Sequence, residues 1–285
     1  MPFGRRLSIG HSARVIALTL ASEVHSVPSG EVTERPKVQH WKCCVLQKGT
    51  VGSNPTLSAS SSHIGQCLRM NNPLFVVQDQ YLQDDAFAGL LQERGITMLR
   101  EFLPYRPIAE QFWQQYVPEP LPQTVIVGLN PGRLGAGLTG IPLLDFRSLA
   151  NLLPDTQLPR NETEPSANFF HRVVQNIGAE KFYREFYVSN VSAVGYVRDN
   201  KNCNYPDLPD AAQRIIEQRF LDEMAVLAPK RIIALGREVE ATVRRLFSGG
   251  SVTISHLPHP SWIMTYRLRE AQSWVRRYTQ MLTQG

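Results

Sequence analysis

A glycine-rich loop is the first stretch of this sequence whose residue types could do chemistry. GLNPGRLGAGLTGIP, residues 128–142, places five glycines and two prolines in fifteen positions. Glycine permits close backbone approach and proline stiffens a turn, so this loop should be rigid and expose several backbone N–H groups. Such a loop suits an anionic or planar ligand, although a long structural connection has the same composition.

Two familiar phosphate-binding patterns do not fit this loop. GAGLTG, residues 135–140, matches the dinucleotide pattern GxGxxG, but it begins six residues after the preceding apolar run, and Pro142 prevents the helix that should follow. The Gly-Lys-Ser/Thr ending of a Walker loop does not occur in the sequence. The loop therefore indicates a binding site without identifying its ligand.

Two further polar side chains follow apolar runs. Asn190 closes FYVSN, and its amide carries a donor and an acceptor that could pair with a nucleobase edge, although alone it would equally suit a turn. His259 lies two residues after SVTISHL, and Pro258 and Pro260 hold its backbone stiffly. An isolated histidine at this place is more often structural than catalytic. The N–H groups that begin at Ser261 are suited to holding a phosphate.

Each of these segments follows a predicted β-strand. Short apolar runs predict strands at QTVIVGL, EFYVSNV, KRIIALG and SVTISHL. Apolar spacings of three and four predict helices at QYLQDDAFAGLLQERG, PIAEQFWQQYV, ANFFHRVVQNIG, LPDAAQRIIEQRFLDEMAVLA, REVEATVRRLFSGG and RLREAQSWVRRYTQMLT. Strands that alternate with helices predict a three-layer α/β/α sandwich with a central, mostly parallel, four-stranded sheet. In such folds the functional site lies at the carboxyl ends of the strands.

Composition and charge exclude several classes of protein. The chain has 285 residues, 42% hydrophobic and 19% charged, which supports a sizeable core and excludes global disorder. No run of 18 apolar residues predicts a membrane-spanning helix. The four cysteines fit neither a disulfide framework nor zinc spacing, so we expect a cytoplasmic protein without a metal. Residues 228–285 hold nine basic and three acidic side chains, a local excess that suits phosphate contacts.

The first 69 residues do not resemble the rest of the chain. Segments such as SVPSG, GSNPT and SASSS are typical of turns and linkers, and the apolar residues follow no sustained period. The short apolar run VIALTLA does not make a convincing signal peptide. We expect residues 1–69 to be a disordered or non-native extension, the natural start to be Met70, and residues 70–285 to form one catalytic domain.

Three segments together resemble the uracil-DNA glycosylase superfamily: GLNPGRLGAGLTGIP, the strand FYVSN, and HPS at 259–261. Their order and spacing are most similar to the single-strand-selective monofunctional branch, in particular its second, bacterial group. The mismatch-specific branch has Asn-Pro-Ser where this chain has His-Pro-Ser. The iron–sulfur branches need four cysteines, whereas residues 70–285 contain only Cys203. The resemblance covers roughly residues 120–285 and implies the fold described above.

The resemblance implies roles for matching positions. Asn130 would place the attacking water, and His259 would hydrogen-bond the uracil O2 as negative charge develops. Asn190 would read the uracil edge, and Gly132 would let the backbone approach the base. Where the family carries a phenylalanine that stacks on uracil, this chain has Leu143, and Phe146 three residues later is the candidate substitute.

The implied activity is hydrolysis of the N-glycosidic bond of uracil in DNA, with other deaminated bases left open. No lysine nucleophile stands at these positions, so the resemblance implies a monofunctional DNA repair glycosylase that flips its base and needs no cofactor. Its implied partner is DNA, single-stranded and duplex, and we expect a monomer with no membrane contact. The segment after His259 is interpreted as a DNA contact, with an apolar wedge and phosphate-holding groups: Ser261, Trp262, Ile263, Met264, Arg267 and Arg269. Packing of the last helix explains the same residues equally well.

Two other functions fit parts of the sequence. One is a catalytically silent module on the same fold that binds single-stranded nucleic acid. The other is an enzyme that uses the glycine-rich loop to bind a nucleotide phosphate. Release of uracil from an oligonucleotide separates the glycosylase from the silent module, and stabilisation by nucleotides alone would favour the last.

Overall fold

A computed structural model describes residues 72–284 of the chain. Its regular elements alternate as the sequence predicted, with additional short ones. In chain order they are α1 Pro73–Leu82, α2 Asp85–Gln92, β1 Thr97–Met98, α3 Arg106–Tyr116, β2 Thr124–Gly128, α4 Ala136–Thr139, α5 Phe146–Leu152, α6 Pro165–Ile177, α7 Ala179–Glu185, β3 Phe186–Asn190, β4 Tyr196–Arg198, β5 Lys201–Cys203, α8 Asp210–Leu227, β6 Arg231–Leu235, α9 Arg237–Leu246, β7 Thr253–Leu257, α10 Pro260–Tyr266 and α11 Ala271–Thr283, with 3-10 turns at Leu103–Tyr105, Tyr205–Asp207 and Leu268–Glu270.

The four predicted strands form one parallel sheet in the order β3-β2-β6-β7. The centres of β2, β3 and β6 are fully buried because both faces are covered, which suits their mostly apolar residues. The edge strand β7 is only half-buried and contains Ser255 and His256. The chain moves from β2 to β3 and then returns across β2 to β6. Right-handed crossovers therefore put the connecting helices α6 and α8 on opposite faces of the sheet. The predicted α/β/α fold is confirmed.

A second, smaller sheet was not predicted. The strands β1, β4 and β5 pair antiparallel in the order β1-β4-β5. Asp199 and Asn200 form the two-residue turn between β4 and β5, and both have positive φ angles, as a type I′ hairpin requires. This hairpin leads the chain to Asn202 and Asn204 at the functional site.

One predicted helix is two helices. The periodic segment at residues 80–95 is interrupted where α1 ends and α2 begins. The Asp84 side chain accepts a hydrogen bond from the backbone N–H of Phe87 at 2.8 Å, which caps α2 at its start. The interruption therefore has a local cause in the sequence.

Two further expectations concern the N-terminal residues and membrane-spanning helices. Residues 1–69 and Met70 lie outside the described residues, so the expected extension and start stay predictions. Among the described helices, none combines the length and apolar character that a membrane crossing requires.

Candidate active site

The carboxyl edge of the parallel sheet carries a cavity lined by all three predicted key side chains. Asn130 follows β2, Asn190 ends β3 and His259 follows β7. These three residues line one small pocket. Asn130 and His259 also line an adjoining cavity of about 690 Å³, large enough for a nucleotide-sized ligand. The structure thus brings together residues that are up to 129 positions apart in the chain.

The Asn190 amide faces the small pocket with its hydrogen-bonding groups free. Among the described residues, no hydrogen bond involves its side chain, although the residue is only 3% exposed. Gly128 is its register partner on β2, and a Cβ atom built on Gly128 would overlap the Asn190 Oδ1 atom. Glycine at this strand end therefore makes the room that the amide occupies.

The Asn130 amide is held in one orientation by the chain that leaves the small sheet. Its Oδ1 accepts a hydrogen bond from the backbone N–H of Tyr205 at 3.0 Å, and its Nδ2 donates to the carbonyl of Cys203 at 3.4 Å. Because the backbone N–H of Tyr205 can donate only to an oxygen, this bond identifies which end of the Asn130 amide is the oxygen and which is the nitrogen. An amide oxygen has a second lone pair, which is available to a water molecule in the cavity.

The environment of His259 fixes its tautomer. Its Nδ1 accepts a hydrogen bond from the backbone N–H of Ser261 at 3.1 Å and lies 2.7 Å from the Ser261 Oγ. Since Nδ1 is an acceptor, the neutral ring carries its proton on Nε2. Burial lowers the pKa of His259 to about 4, so the ring is neutral at physiological pH. His259 is therefore equipped to donate one hydrogen bond from Nε2.

A carboxyl group that the sequence analysis did not select also lines the pocket. Glu164 comes from the segment before α6 and lines both cavities. Its Oε1 would lie 2.5 Å from a Cβ atom built on Gly132, and a Cβ on Gly135 would overlap its Oε2. Burial, with the nearby Asp145 as a second cause, raises the pKa of Glu164 to about 7. Gly132 was predicted to admit the base, and in the structure it also admits this carboxyl group.

The structure corrects two of the predicted site residues. The Phe146 ring is completely buried and packs edge-to-face on Tyr105 at a centroid distance of 5.0 Å, so it does not line the cavity. Leu143 does line it and has a φ of 57°. Ile263 is also completely buried, because it lies on the inner face of α10. Phe146, the candidate for stacking on the base, and Ile263, a candidate DNA contact, therefore both lie in the core and line neither cavity.

The outer face of α10 and the 3-10 turn that follows it carry the remaining predicted DNA contacts. Ser261, Arg267 and Arg269 are exposed, and Met264 is half-buried. Trp262 is exposed and also lines the larger cavity. Tyr266 and Leu268, which were not among the predicted contacts, are 71% and 60% exposed. Of the predicted wedge 262–264, Ile263 is buried, and the exposed large apolar side chains in this segment are Trp262, Tyr266 and Leu268.

Between residues 72 and 284, no group of three or more His, Cys, Asp or Glu side chains is arranged to hold an ion.

Comparisons with known proteins match both the sequence and the fold. The family model of the Uracil DNA glycosylase superfamily matches residues 115–283. The crystal structure of wild-type SMUG2 from Pedobacter heparinus is similar to this chain, with a TM-score of 0.58 and 26% sequence identity. That similarity covers 66% of this chain and 88% of the Pedobacter chain.

Proposed function

We propose that this chain, which belongs to the uracil DNA glycosylase superfamily and to its SMUG2-like branch, is a monofunctional glycosylase that hydrolyses the N-glycosidic bond of uracil in DNA. Membership in the superfamily establishes that the chain is a uracil glycosylase-type hydrolase that acts on DNA. The more specific proposal, hydrolysis of the N-glycosidic bond of uracil, rests on one observation. Asn130, Asn190 and His259 line the same small pocket. The base would have to leave the stack before this reaction, and the reaction would begin excision repair of uracil.

Asn190 would select the base. Its free amide can accept a hydrogen bond from the N3–H of uracil and donate one to O4. Cytosine presents the opposite polarity at these two atoms, so the same amide would be mispaired twice. Leu143 lines the pocket where the family has an aromatic ring, so the base would gain apolar contact there without ring stacking.

His259 would stabilise the leaving group. Breaking the bond leaves negative charge on uracil, much of it on O2, and the Nε2–H of a neutral imidazole is a suitable donor to that oxygen. A preorganised donor stabilises such a charge best in a site that excludes water, and losing one typically costs about 10²–10³ in rate.

Asn130 would hold the attacking water. Its Oδ1 keeps one lone pair free, and its orientation is fixed by Tyr205 and Cys203. No lysine is among the described residues that line either cavity, which favours direct attack by water over a covalent amine intermediate. We therefore expect an abasic product without strand cleavage.

The basic C-terminal segment would hold the DNA strand. Arg267 and Arg269 are exposed beside the Trp262, Tyr266 and Leu268 patch, near the larger cavity. Arginines can contact phosphates while the apolar patch fills the space that the extruded base leaves. Single-stranded and duplex substrates, a monomeric state and a cytoplasmic location remain part of this proposal.

An oligonucleotide assay tests the proposal. The full chain is incubated with a single-stranded oligonucleotide that contains one uracil, and the abasic product is detected by alkaline cleavage. We expect product from the uracil strand and none from a matched cytosine strand. If the protein binds the strand and leaves the uracil in place, the chain is instead a silent nucleic-acid-binding module.

A further inference from the structure

We propose that Glu164 is a catalytic residue of the same site, which accepts a proton from the water that attacks the sugar. The proposal rests on the proposed function, because it assigns a step of that reaction. Glu164 was not among the residues that the family resemblance selects. It lines the small pocket together with Asn130 and His259, and it lines the larger cavity as well.

The glycine-rich loop is shaped around this carboxyl group. A side chain on either Gly132 or Gly135 would collide with the Glu164 carboxyl oxygens, as their close approach to both positions shows. Among the described residues, no hydrogen bond ties up the carboxyl oxygens, which leaves them free to meet a water molecule. The loop thus provides space for a free acid beside Asn130.

The backbone of Glu164 is held rigidly. Its N–H donates a hydrogen bond of 2.7 Å to Oδ2 of Asp145, and its carbonyl accepts from the N–H of Asn168 at 2.8 Å within α6. Pro165 follows at the first position of the helix and restricts the backbone further. Thr163 also donates to Asp145, at 3.1 Å. These contacts fix the backbone from which the Glu164 side chain enters the cavity.

The reaction needs an acceptor that Asn130 cannot supply. When the bond between C1′ and N1 breaks, its electron pair leaves with uracil. The water oxygen forms a new bond to C1′, and one water proton must be taken up. An amide oxygen can orient that water but is too weak a base to keep its proton, whereas a carboxylate can hold it and later release it to the solvent or to the uracil anion.

The charge environment suits a base that works near neutral pH. Burial and the neighbouring Asp145 raise the pKa of Glu164 to about 7, close to the working pH, where a general base is most effective. His259 is neutral there because burial lowers its pKa to about 4. The charged and titratable residues around Glu164 are Asp145 behind it, Arg133 on the glycine-rich loop, His259 in the pocket, and His256, Arg237 and Glu238 around the larger cavity.

The test compares Glu164→Gln with wild type in single-turnover uracil excision from pH 5.5 to pH 8. The wild-type rate should rise with pH and level off above about pH 7, since only the ionised carboxylate accepts a proton. Glu164→Gln should be about 10²-fold slower at pH 8, only a few-fold slower at pH 5.5, and without the rising limb. Glu162→Gln is the matched control: that carboxylate lies two residues earlier, pairs with Arg160 and does not line either cavity, so rate and profile should stay those of wild type.

The other outcomes are distinct. A Glu164→Gln rate that equals wild type, or is reduced by the same factor at every pH, would overturn the proposal and leave the proposed function standing. A wild-type protein that releases no uracil at any pH would overturn both. If the glutamine variant fails to fold, Glu164→Asp takes its place. Its single-turnover rate should still rise with pH but level off at a lower plateau. A rate that no longer rises with pH but reaches the wild-type plateau would contradict the assignment.

Discussion

His259 can donate a hydrogen bond into the cavity because Ser261 occupies its other ring nitrogen. Histidine often acts both as a hydrogen-bond donor and as a proton acceptor, and this arrangement leaves His259 only the first of these roles. The ring is neutral across the physiological range, so it acts as a dipole with a fixed direction and does not exchange protons. In the proposed mechanism, proton transfer falls to Glu164, which lines the same small pocket.

Replacing His259 by alanine should slow uracil excision without changing its pH dependence. We expect a loss of about 10²–10³ in the single-turnover rate, since one donor to O2 is removed. Because the low pKa of His259 places its titration near pH 4, the shape of the profile from pH 5.5 to pH 8 should stay that of wild type. Disappearance of the rising limb in His259→Ala would contradict this division of roles.

Gly128→Ala tests the space behind Asn190. The added methyl group would collide with the Asn190 Oδ1 atom and force the amide away from its position. We expect uracil excision to fall by at least about 10-fold, since the hydrogen bonds to the base would be misaligned. Gly89→Ala is the control, because its Cβ would meet nothing within 4 Å and helix α2 tolerates alanine well. Equal single-turnover rates for the two variants would refute the steric argument.

At the residue scale, the position of a side chain could be predicted where it follows a strand, but not where its direction depends on packing. Asn130, Asn190 and His259 meet because the ends of parallel strands must meet. Spacing alone does not reveal that Phe146 and Ile263 point into the core. Glu164 enters the cavity from the start of a helix, and no strand-end rule selects such a position; the Glu-Pro pair before an apolar helix was the only local signal.

At the scale of elements, the length of each segment decided what could be predicted. The four strands of the large sheet have five residues each, and each was predicted within two residues of its observed ends. The strands of the small sheet have two or three residues, too few to show alternation. Their signal was the turn Asp199–Asn200, whose residue types favour positive φ angles.

Asp145 connects two elements, and its loss should destabilise the fold. It is fully buried, and its carboxylate accepts hydrogen bonds from the N–H of Ser148 at the start of α5 and from Thr163 and Glu164 before α6. Asp145→Ala removes a helix cap and leaves buried donors unpaired, so we expect a loss of about 2–4 kcal/mol in the free energy of unfolding. Urea denaturation measures it, and a loss below about 1 kcal/mol would contradict the linking role.

At the scale of the whole molecule, a buried carboxyl group in the core makes stability depend on pH. Glu223 on α8 is 2% exposed and accepts hydrogen bonds from Ser189 at 2.9 Å and from Tyr187 at 3.3 Å. Burial raises its pKa to about 7, although both hydroxyl groups act in the opposite direction. The unfolded chain ionises this group near its ordinary pKa of about 4.5, so unfolding becomes easier as the pH rises from about 4.5 to about 7.

Glu223→Gln should remove that dependence. Its stability relative to wild type should grow by about 2–3 kcal/mol between pH 4 and pH 8, because glutamine carries no charge that burial penalises. Glu217→Gln should change with the opposite sign, since the Arg245 guanidinium lowers the pKa of that carboxyl group and stabilises it above its unfolded pKa. Urea titrations at both pH values give the comparison, and parallel curves for Glu223→Gln and wild type would contradict it.

The hairpin that leads to Cys203 and Tyr205 has an evolutionary consequence. The atoms that orient Asn130 belong to the backbone and to an accessory ribbon outside the central scaffold. Sequence drift within the ribbon can therefore shift the Asn130 amide by fractions of an ångström while the scaffold stays untouched. Relatives that share the scaffold but differ in this ribbon should differ in turnover more than in folding, which makes it the natural place to diversify a library of variants.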